Sequence, residues 1–355
     1  MAGQAPSSPP WETSAKLALG AHLVIHLAEV NRGGRRAMSK DQIGFAEAFL
    51  AADAGRNRRL EGISDLLDWA ALEKLLKPLR PGAAGRPPYP VLAMMRALLL
   101  QQWYGLSDPG LEEALSDRLS FRRFCGFRLD ERTPDETTLC RFRNDLSEAG
   151  LAEKAFHLVA RQLQQRGLIV RSGTLIDATL VKAQAAKPSG AAAAGAKSDV
   201  DRDADWTRRG GSSHFGYKAH VAVDCSSGLI RRVELTSAKI YESEVADRLV
   251  CGDEAAVYAD KAYEHKERRA RLKAAGIKDR IMHRSHKNQA GLPRWQARRN
   301  RLISPIRAAV ERVFGTLKRS YGYRRVRYFS LAANTTQLHL LAIAFNLRRA
   351  LALTG

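Results

Sequence analysis

Thr174-Leu-Ile-Asp177-Ala-Thr-Leu-Val181 marks the point at which the chain changes character. Apart from one carboxylate its residues are apolar or β-branched, the composition of a buried strand that delivers Asp177 to a sheet edge. Strand signals continue downstream. Lys218-Ala-His-Val-Ala-Val-Asp224 alternates apolar with polar, Cys225-Ser-Ser-Gly228 reads as a turn, and Leu229 to Leu235 returns to complete a hairpin. A helical stretch around Glu242 to Val250 and a strand from Ala255 to Ala259 ending on Asp260 come next. A charged helix from Glu264 to Ala275 and a strand from Lys278 to His283 follow. Hairpin, helix, strand, helix, strand is the succession of a mixed α/β sheet with helices on its faces.

Upstream, residues 41 to 150 read as helical. Pro90-Val-Leu-Ala-Met-Met-Arg-Ala-Leu-Leu-Leu-Gln-Gln-Trp103 is rich in strong helix formers and predicts a buried helix that Gly105-Leu-Ser-Asp-Pro-Gly110 ends. A short amphipathic helix, Leu111 to Asp117, follows. Thr133-Pro134-Asp135-Glu136 carries three helix-start signals, with Thr133 as N-cap, Pro134 at the first position and Glu136 three residues on. The helix it opens bears Thr137, Thr138, Arg141 and Arg143, so it either faces DNA or packs a supporting domain. Between Ala183 and Ser213 an Ala-, Gly-, Ser- and Asp-rich stretch predicts a mobile loop. Gly190-x4-Gly195-Ala-Lys197-Ser198 within it is not a phosphate-binding loop, because Ala196 stands where Lys is required and no strand precedes it.

The chain has 355 residues, 45% of them apolar, enough to bury a sizeable core. Its net charge of +21 points to polyanionic partners. The charge is also uneven: residues 264 to 330 hold 20 Lys and Arg against 4 acidic residues, which accounts for +16 of the total. So one-sided a stretch favours nucleic acid over an ordinary solvated face. Cys125, Cys140, Cys225 and Cys251 include no Cys-x-x-Cys pair and read as reduced thiols of a cytoplasmic protein. No apolar run reaches the roughly 18 residues of a membrane span. Leu17 to Val30 carries His22, His26 and Glu29 and is not a signal peptide. Residues 1 to 40 read as a leader without defined structure.

A third acid lies further on, in Arg307-x3-Glu311-x6-Lys318. Ser304-Pro305 predicts the start of a helix running to about Arg319. On a helical wheel Arg307, Glu311 and Lys318 share one narrow stripe, beside an apolar stripe of Ile303, Ile306, Val310, Val313, Phe314 and Leu317. Converging carboxylates without a metal would repel one another, so an acidic cluster in a basic protein implies divalent ions. Two ions could activate the attacking oxygen and stabilise the leaving oxygen at a phosphodiester. Each acid also has an ordinary explanation. Asp177 and Asp260 could cap a turn or helix, and Arg307 and Glu311 could form an i,i+4 ion pair. Asp224 ends a strand too, but Asp-Cys-Ser-Ser-Gly is a ready turn that explains it without chemistry.

The order Leu-Ile-Asp177-Ala-Thr, Gly216-Tyr-Lys-Ala-His-Val-Ala-Val-Asp224, Ala-Asp260-Lys-Ala-Tyr263 and Arg307-x3-Glu311-x6-Lys318 resembles the DDE transposases of bacterial insertion sequences. The nearest groups are the two related ones numbered four and five. The resemblance spans residues 45 to 349 and includes Leu-Glu-Glu-Ala-Leu-Ser-Asp and Thr-Leu-Cys-Arg-Phe-Arg-Asn in the helical region. It implies a ribonuclease H-like mixed sheet flanked by helices over 170–350, with Asp177 on the first strand, Asp260 ending the fourth and Glu311 on a late helix. An all-helical N-terminal domain over 41–165, for DNA-end binding or dimerisation, would precede it. By the same resemblance the three acids are catalytic and hold two Mg2+ or Mn2+ ions, while Arg307 and Lys318 hold transposon-end phosphates. Arg141, Arg143, Lys218, Arg319 and Arg324 are further candidates for DNA contacts. One group's signature has Tyr three residues before the Arg. Here that place is Ser304, so any end-processing role of that tyrosine has no residue to carry it, while the metal site is untouched.

The function expected is therefore a metal-dependent transposase that binds terminal inverted repeats, hydrolyses the strand at the element end and transfers the freed 3′ hydroxyl. Two ends imply a homodimer or higher assembly on DNA, in the cytoplasm at the nucleoid. The basic stretch from Arg294 to Arg327, with Trp295, Tyr321, Tyr323 and Tyr328 interleaved, would track phosphates and could stack an exposed base. Two alternatives stand beside this: a decayed nuclease of the same fold, and a basic DNA-binding protein whose three acids lie far apart.

Overall fold

The computed structural model describes residues 53–79, 87–184, 201–285 and 291–355. The leader expected over 1–40 and the centre of the loop expected over 183–213 lie outside them. Leu50–Gly355 packs as one compact unit.

Helices come first. α1 (Arg58–Asp65) and α2 (Trp69–Leu76) open on Asn57 and Asp68, whose side chains accept the first free backbone N–H groups. α3 (Val91–Tyr104) is buried on nearly all sides, as its composition predicts, and Gly105 ends it in the left-handed conformation. Its one cation, Arg96, lies 4.3 Å from the centre of the Trp69 ring. α4 (Asp108–Asp117) and α5 (Leu119–Cys125) follow. α6 (Glu136–Glu148) starts later than Thr133-Pro134 suggests. The Tyr89 hydroxyl takes the Thr133 carbonyl, and Asp135 is the cap, its carboxylate accepting from Thr138 N at 2.6 Å. α7 (Leu151–Gln165) completes the helical segment.

The sheet contains β1 (Thr174–Lys182), β2 (Asp205–Arg209), β3 (Ser212–Asp224), β4 (Ile230–Ser237), β5 (Ala256–Ala259) and β6 (Lys278–Ile281). Its order is β2-β3-β1-β5-β6, with β4 also on β3. β1 and β3 run antiparallel, with Asp177 opposite Val221, whereas β5 and β6 join β1 in parallel. β2 and the start of β3 fall inside the expected loop. They pair with each other, so that stretch is partly strand, and Asp260 follows the fifth strand instead of the fourth. At the inner end of this pairing Gly216 has φ +156°, and a Cβ there would lie 2.2 Å from the Val181 carbonyl oxygen. Only glycine lets the two backbones meet so closely.

Successive residues of β1 face opposite sides. Leu175 enters one core with β3, β4 and the helical segment, while Ile176 enters a second core with α8 (Glu242–Leu249) and α9 (Lys266–Ala274). The first core runs without interruption from Leu60 in α1 to Ala350 in α12 (Leu331–Thr354). α12 packs on α1, α3, α6, α7 and β4, so the division of the chain near residue 165 is not a division of the packing. Its Asn346 amide is fully buried, accepting from Ile230 N at 2.8 Å and donating to Ile230 O at 2.7 Å.

The helix expected from Ser304 to Arg319 is two helices, α10 (Arg294–Arg307) and α11 (Ala309–Arg319). Pro305 lies in the last turn of α10, where it has no N–H to donate and crowds the preceding turn, and the helix breaks at Ala308. Ile306 consequently leaves the apolar stripe and is 41% exposed. Part of the basic stretch braces the fold internally. Arg268 pairs with Asp247, while Arg269 and Arg299 both reach Asp279.

Candidate active site

β5 pairs with β1 only from Thr174 to Ile176, ending on the rung Ile176–Ala259. Beyond that rung the central strand has lost its parallel neighbour, and a notch opens between them. Asp177 and Asp260 are the next residues on each side, and neighbouring strands lie about 4.8 Å apart. Asp177 therefore occupies the middle of the central strand, not an edge of the sheet, and Asp260 sits where β5 turns into the short 3-10 helix Lys261–Tyr263.

Both carboxylates have local partners. Asp177 accepts from Ala178 N at 2.8 Å and from Arg307 Nη1 at 2.7 Å. Asp260 accepts from Lys261 N at 2.6 Å as the N-cap of its 3-10 turn. Arg307 also reaches Glu311, in the first turn of α11, with Nη2 to Oε1 at 3.8 Å. This guanidinium is the bridge from the central strand to the third acid. Glu311 stands off, its side chain 62% exposed against 14% for Asp177.

Burial pushes the Asp177 carboxyl up to about 6, aided by the negative charges of Glu242 and Glu311 and opposed by Ala178 N–H and Arg307. Burial thus outweighs the Arg307 charge at Asp177, and hard carboxylate oxygens of this kind suit Mg2+ or Mn2+. Among the described residues, the acid-rich group whose ligand atoms all lie within 4.8 Å of one another is elsewhere, at Cys251, Asp253 and Glu254. Those acids are held by Arg231, and burial raises the Cys251 thiol to about 11, so that group is an ion-pair cluster.

The expected DNA-contacting cations divide into two sets. Lys318 and Arg324 line a cavity of about 360 Å³ together with Lys182, Arg209 and His214. Burial, then the charge of Arg209, lowers the Lys318 ammonium. Arg141 and Arg319 are exposed. Arg143 and Lys218 are not. Arg143 is buried, donating to both oxygens of Asp108 and lying 4.5 Å from the Tyr328 ring centre. Lys218 is 8% exposed and donates to Ile240 O at 2.6 Å. Interior carboxylate and carbonyl partners thus correct the expectation that these two face DNA. The interleaved aromatics divide likewise: Tyr321 and Tyr323 are core residues and Tyr328 backs Arg143, while Trp295 is 61% exposed. Asp224 accepts from Ser226 N, Ser227 N and Arg171 N and does the work of a turn.

Glu242, whose charge acts on Asp177, carries no signal by which it could be singled out, since it opens α8 in an unremarked acidic turn. Tyr263 closes the island Ala-Asp260-Lys-Ala-Tyr263, but nothing in that island shows that the core encloses its ring.

An antiparallel trio continued by two parallel strands, with carboxylates at mid-strand and at the end of the parallel neighbour, defines a ribonuclease H-like protein with an acidic site. A family model described as Transposase DDE domain matches residues 169–347, and one described as Transposase domain (DUF772) matches residues 49–145. The chain belongs to the DDE transposase family, whose members use divalent metal ions and act on DNA. A cryo-EM structure of a piggyBac transposase synaptic complex with hairpin DNA is similar over 82% of this chain and 72% of that one. With 11% identity and a TM-score of 0.41, that likeness is too distant to carry anything further.

Proposed function

We propose that this transposase binds the terminal inverted repeats of its element, hydrolyses the strand at each end and uses the 3′ hydroxyl for strand transfer. Asp177, Asp260 and Glu311 would hold two divalent ions, supporting both in-line displacements at phosphorus. The observation that carries this reading is the notch, where Asp177 and Asp260 follow the last paired rung of two parallel strands and Arg307 links Asp177 to Glu311.

The ions, when bound, would polarise the attacking and leaving oxygens. The chain itself supplies position and charge. β1 fixes Asp177 by a nine-residue ladder to β3, and the 3-10 turn fixes Asp260. Arg307 holds Asp177 and Glu311 within reach of each other and leaves a guanidinium to share with a phosphate. Lys318, on the same stripe of α11 as Glu311, would grip the backbone with Arg324 and Arg209, and Arg141 and Arg319 would add exposed positive charge. Two ends held together call for a homodimer or higher oligomer, acting in the cytoplasm at the nucleoid.

Cleavage of a labelled duplex carrying the element's end, with Mg2+, Mn2+ or EDTA, tests the proposal. Metal-dependent cutting should vanish in Asp177→Asn, Asp260→Asn and Glu311→Gln while binding persists. Binding without cutting by the wild type, or cutting indifferent to those changes, would return the chain to a non-catalytic DNA-binding role.

A further inference from the structure

We propose that the cleft between α2, α7 and β4 is a second DNA site, which holds the phosphate backbone of duplex DNA without regard to sequence. It is separate from the notch and does not rest on the two-ion reading. Its volume is about 930 Å³, and its lining includes Lys74 of α2, Lys154, His157 and Arg161 of α7, and Arg232 of β4. Residues 154, 157 and 161 follow one another at helical spacing, so they share the face of α7 opposite its buried Phe156, Val159 and Leu163. Lys74, Lys154 and Arg161 are exposed, and none of the three has a hydrogen bond or ion pair among the described residues. Arg232 has one tie, from Nη1 to Arg248 O at 2.8 Å. The acid in the lining, Asp253, is already shared by Arg171 and Arg231. The positive charge of the cleft is therefore not compensated within the fold.

The form of the cleft favours a polyanion over a small anion. A small anion needs fixed donors pointing inward, and the buried arginine at the cleft, Arg231, is taken by Asp253 and Glu254. What remains are long cationic side chains from three separate elements, which suit successive phosphates of one strand. Contacts of this kind position a duplex but carry no sequence information. The cleft also lies away from the chemistry. Arg231 donates to Thr174 Oγ1 at the first residue of β1, and Asp253 precedes β5, so the cleft is where these parallel strands begin. The notch is where β5 ends. Changes in the cleft thus leave Asp177, Asp260 and Glu311 untouched.

The test is duplex affinity of the full chain over a salt series in EDTA, read by fluorescence anisotropy. Two probes of about three helical turns are used, one an element end and one of unrelated sequence. Each phosphate contact contributes about 0.9 to the slope of log affinity against log salt, so Lys74→Gln, Lys154→Gln and Arg161→Gln combined should lower it by about 2–3 on both probes. Over an about fourfold rise in salt the wild type should then lose about 40-fold more affinity than the variant. These side chains are exposed, so the variant should melt as the wild type does. If it does not, the three single changes decide, each expected to lower the slope by about 0.9. An unchanged slope in folded protein overturns the inference. So does a loss confined to the element end, which would make the cleft part of end recognition. An unchanged slope with an altered sedimentation coefficient would overturn it too and make the cleft an interface between copies of the chain. Failure of the notch shows differently, as cutting indifferent to Asp177→Asn, and leaves the slope result standing.

Discussion

Replacing Asp177 with Asn should make the metal-free protein more stable, although it removes a catalytic candidate. The carboxyl moves from an ordinary 3.8 to about 6 on folding, chiefly through burial and through Glu242 and Glu311, with Arg307 already counted against them. At about 1.4 kcal/mol per pH unit, the ionised group costs the fold about 3 kcal/mol at neutral pH. The folded chain holds this proton more tightly than the unfolded one, so protonation favours folding. The cost is absent below about pH 4, grows between about 4 and 6, and is complete above about 6. Asn keeps the shape without the charge. In EDTA at neutral pH, thermal unfolding of Asp177→Asn should shift upward by about 6–12 °C, at about 2–4 °C per kcal/mol for a large domain. At about pH 4 the two proteins should melt together. A melting temperature unchanged or lowered at neutral pH, or a gain that persists at pH 4, would refute the electrostatic account of the notch.

Other outcomes follow from the same geometry. Arg143→Ala should lose about 3–5 kcal/mol in urea unfolding, because Asp108 is left without its buried partner, while DNA affinity per folded molecule stays the same. Lys318→Ala and Arg324→Ala should each reduce the slope of log binding constant against log salt by about 1, with fold stability little changed. Gly216→Ala should be among the most damaging single-methyl additions, losing several kcal/mol, since the Cβ would lie 2.2 Å from a backbone oxygen at φ +156°. Burial lowers His220 to about 3, so stability should fall as pH drops below about 6.5, where only the unfolded chain takes up that proton. His220→Gln should flatten that limb of the pH–stability curve.

The parts legible in the sequence are those written in local pattern. The apolar run around Asp177, the alternation into Asp224 with its turn, and the helix-forming composition of Val91 to Trp103 each determine their element from neighbouring residues alone. Features that depend on distant partners were not legible. Nothing near Arg143 announces Asp108, and nothing near Tyr323 announces that the core will enclose it. Pro305 fits a helix start or a helix end equally well, and only the packing of α10 on β5 decides between them. The candidate acids were readable through a familiar order of short islands, yet Glu242 comes to act on Asp177 only by tertiary folding, which leaves no mark at the level of spacing.

The placement of α12 has a consequence for synthesis on the ribosome. Its 24 residues are made after every other described element, yet they fill the space between the helices and the strands. A nascent chain stopped short of them would hold β4 with Ile230 unpaired and two greasy surfaces facing nothing. Such a fragment cannot rehearse the fold and then wait. Frameshifts or early stops within these last residues should therefore yield chains destined for proteolysis, not partial molecules that could sequester element ends.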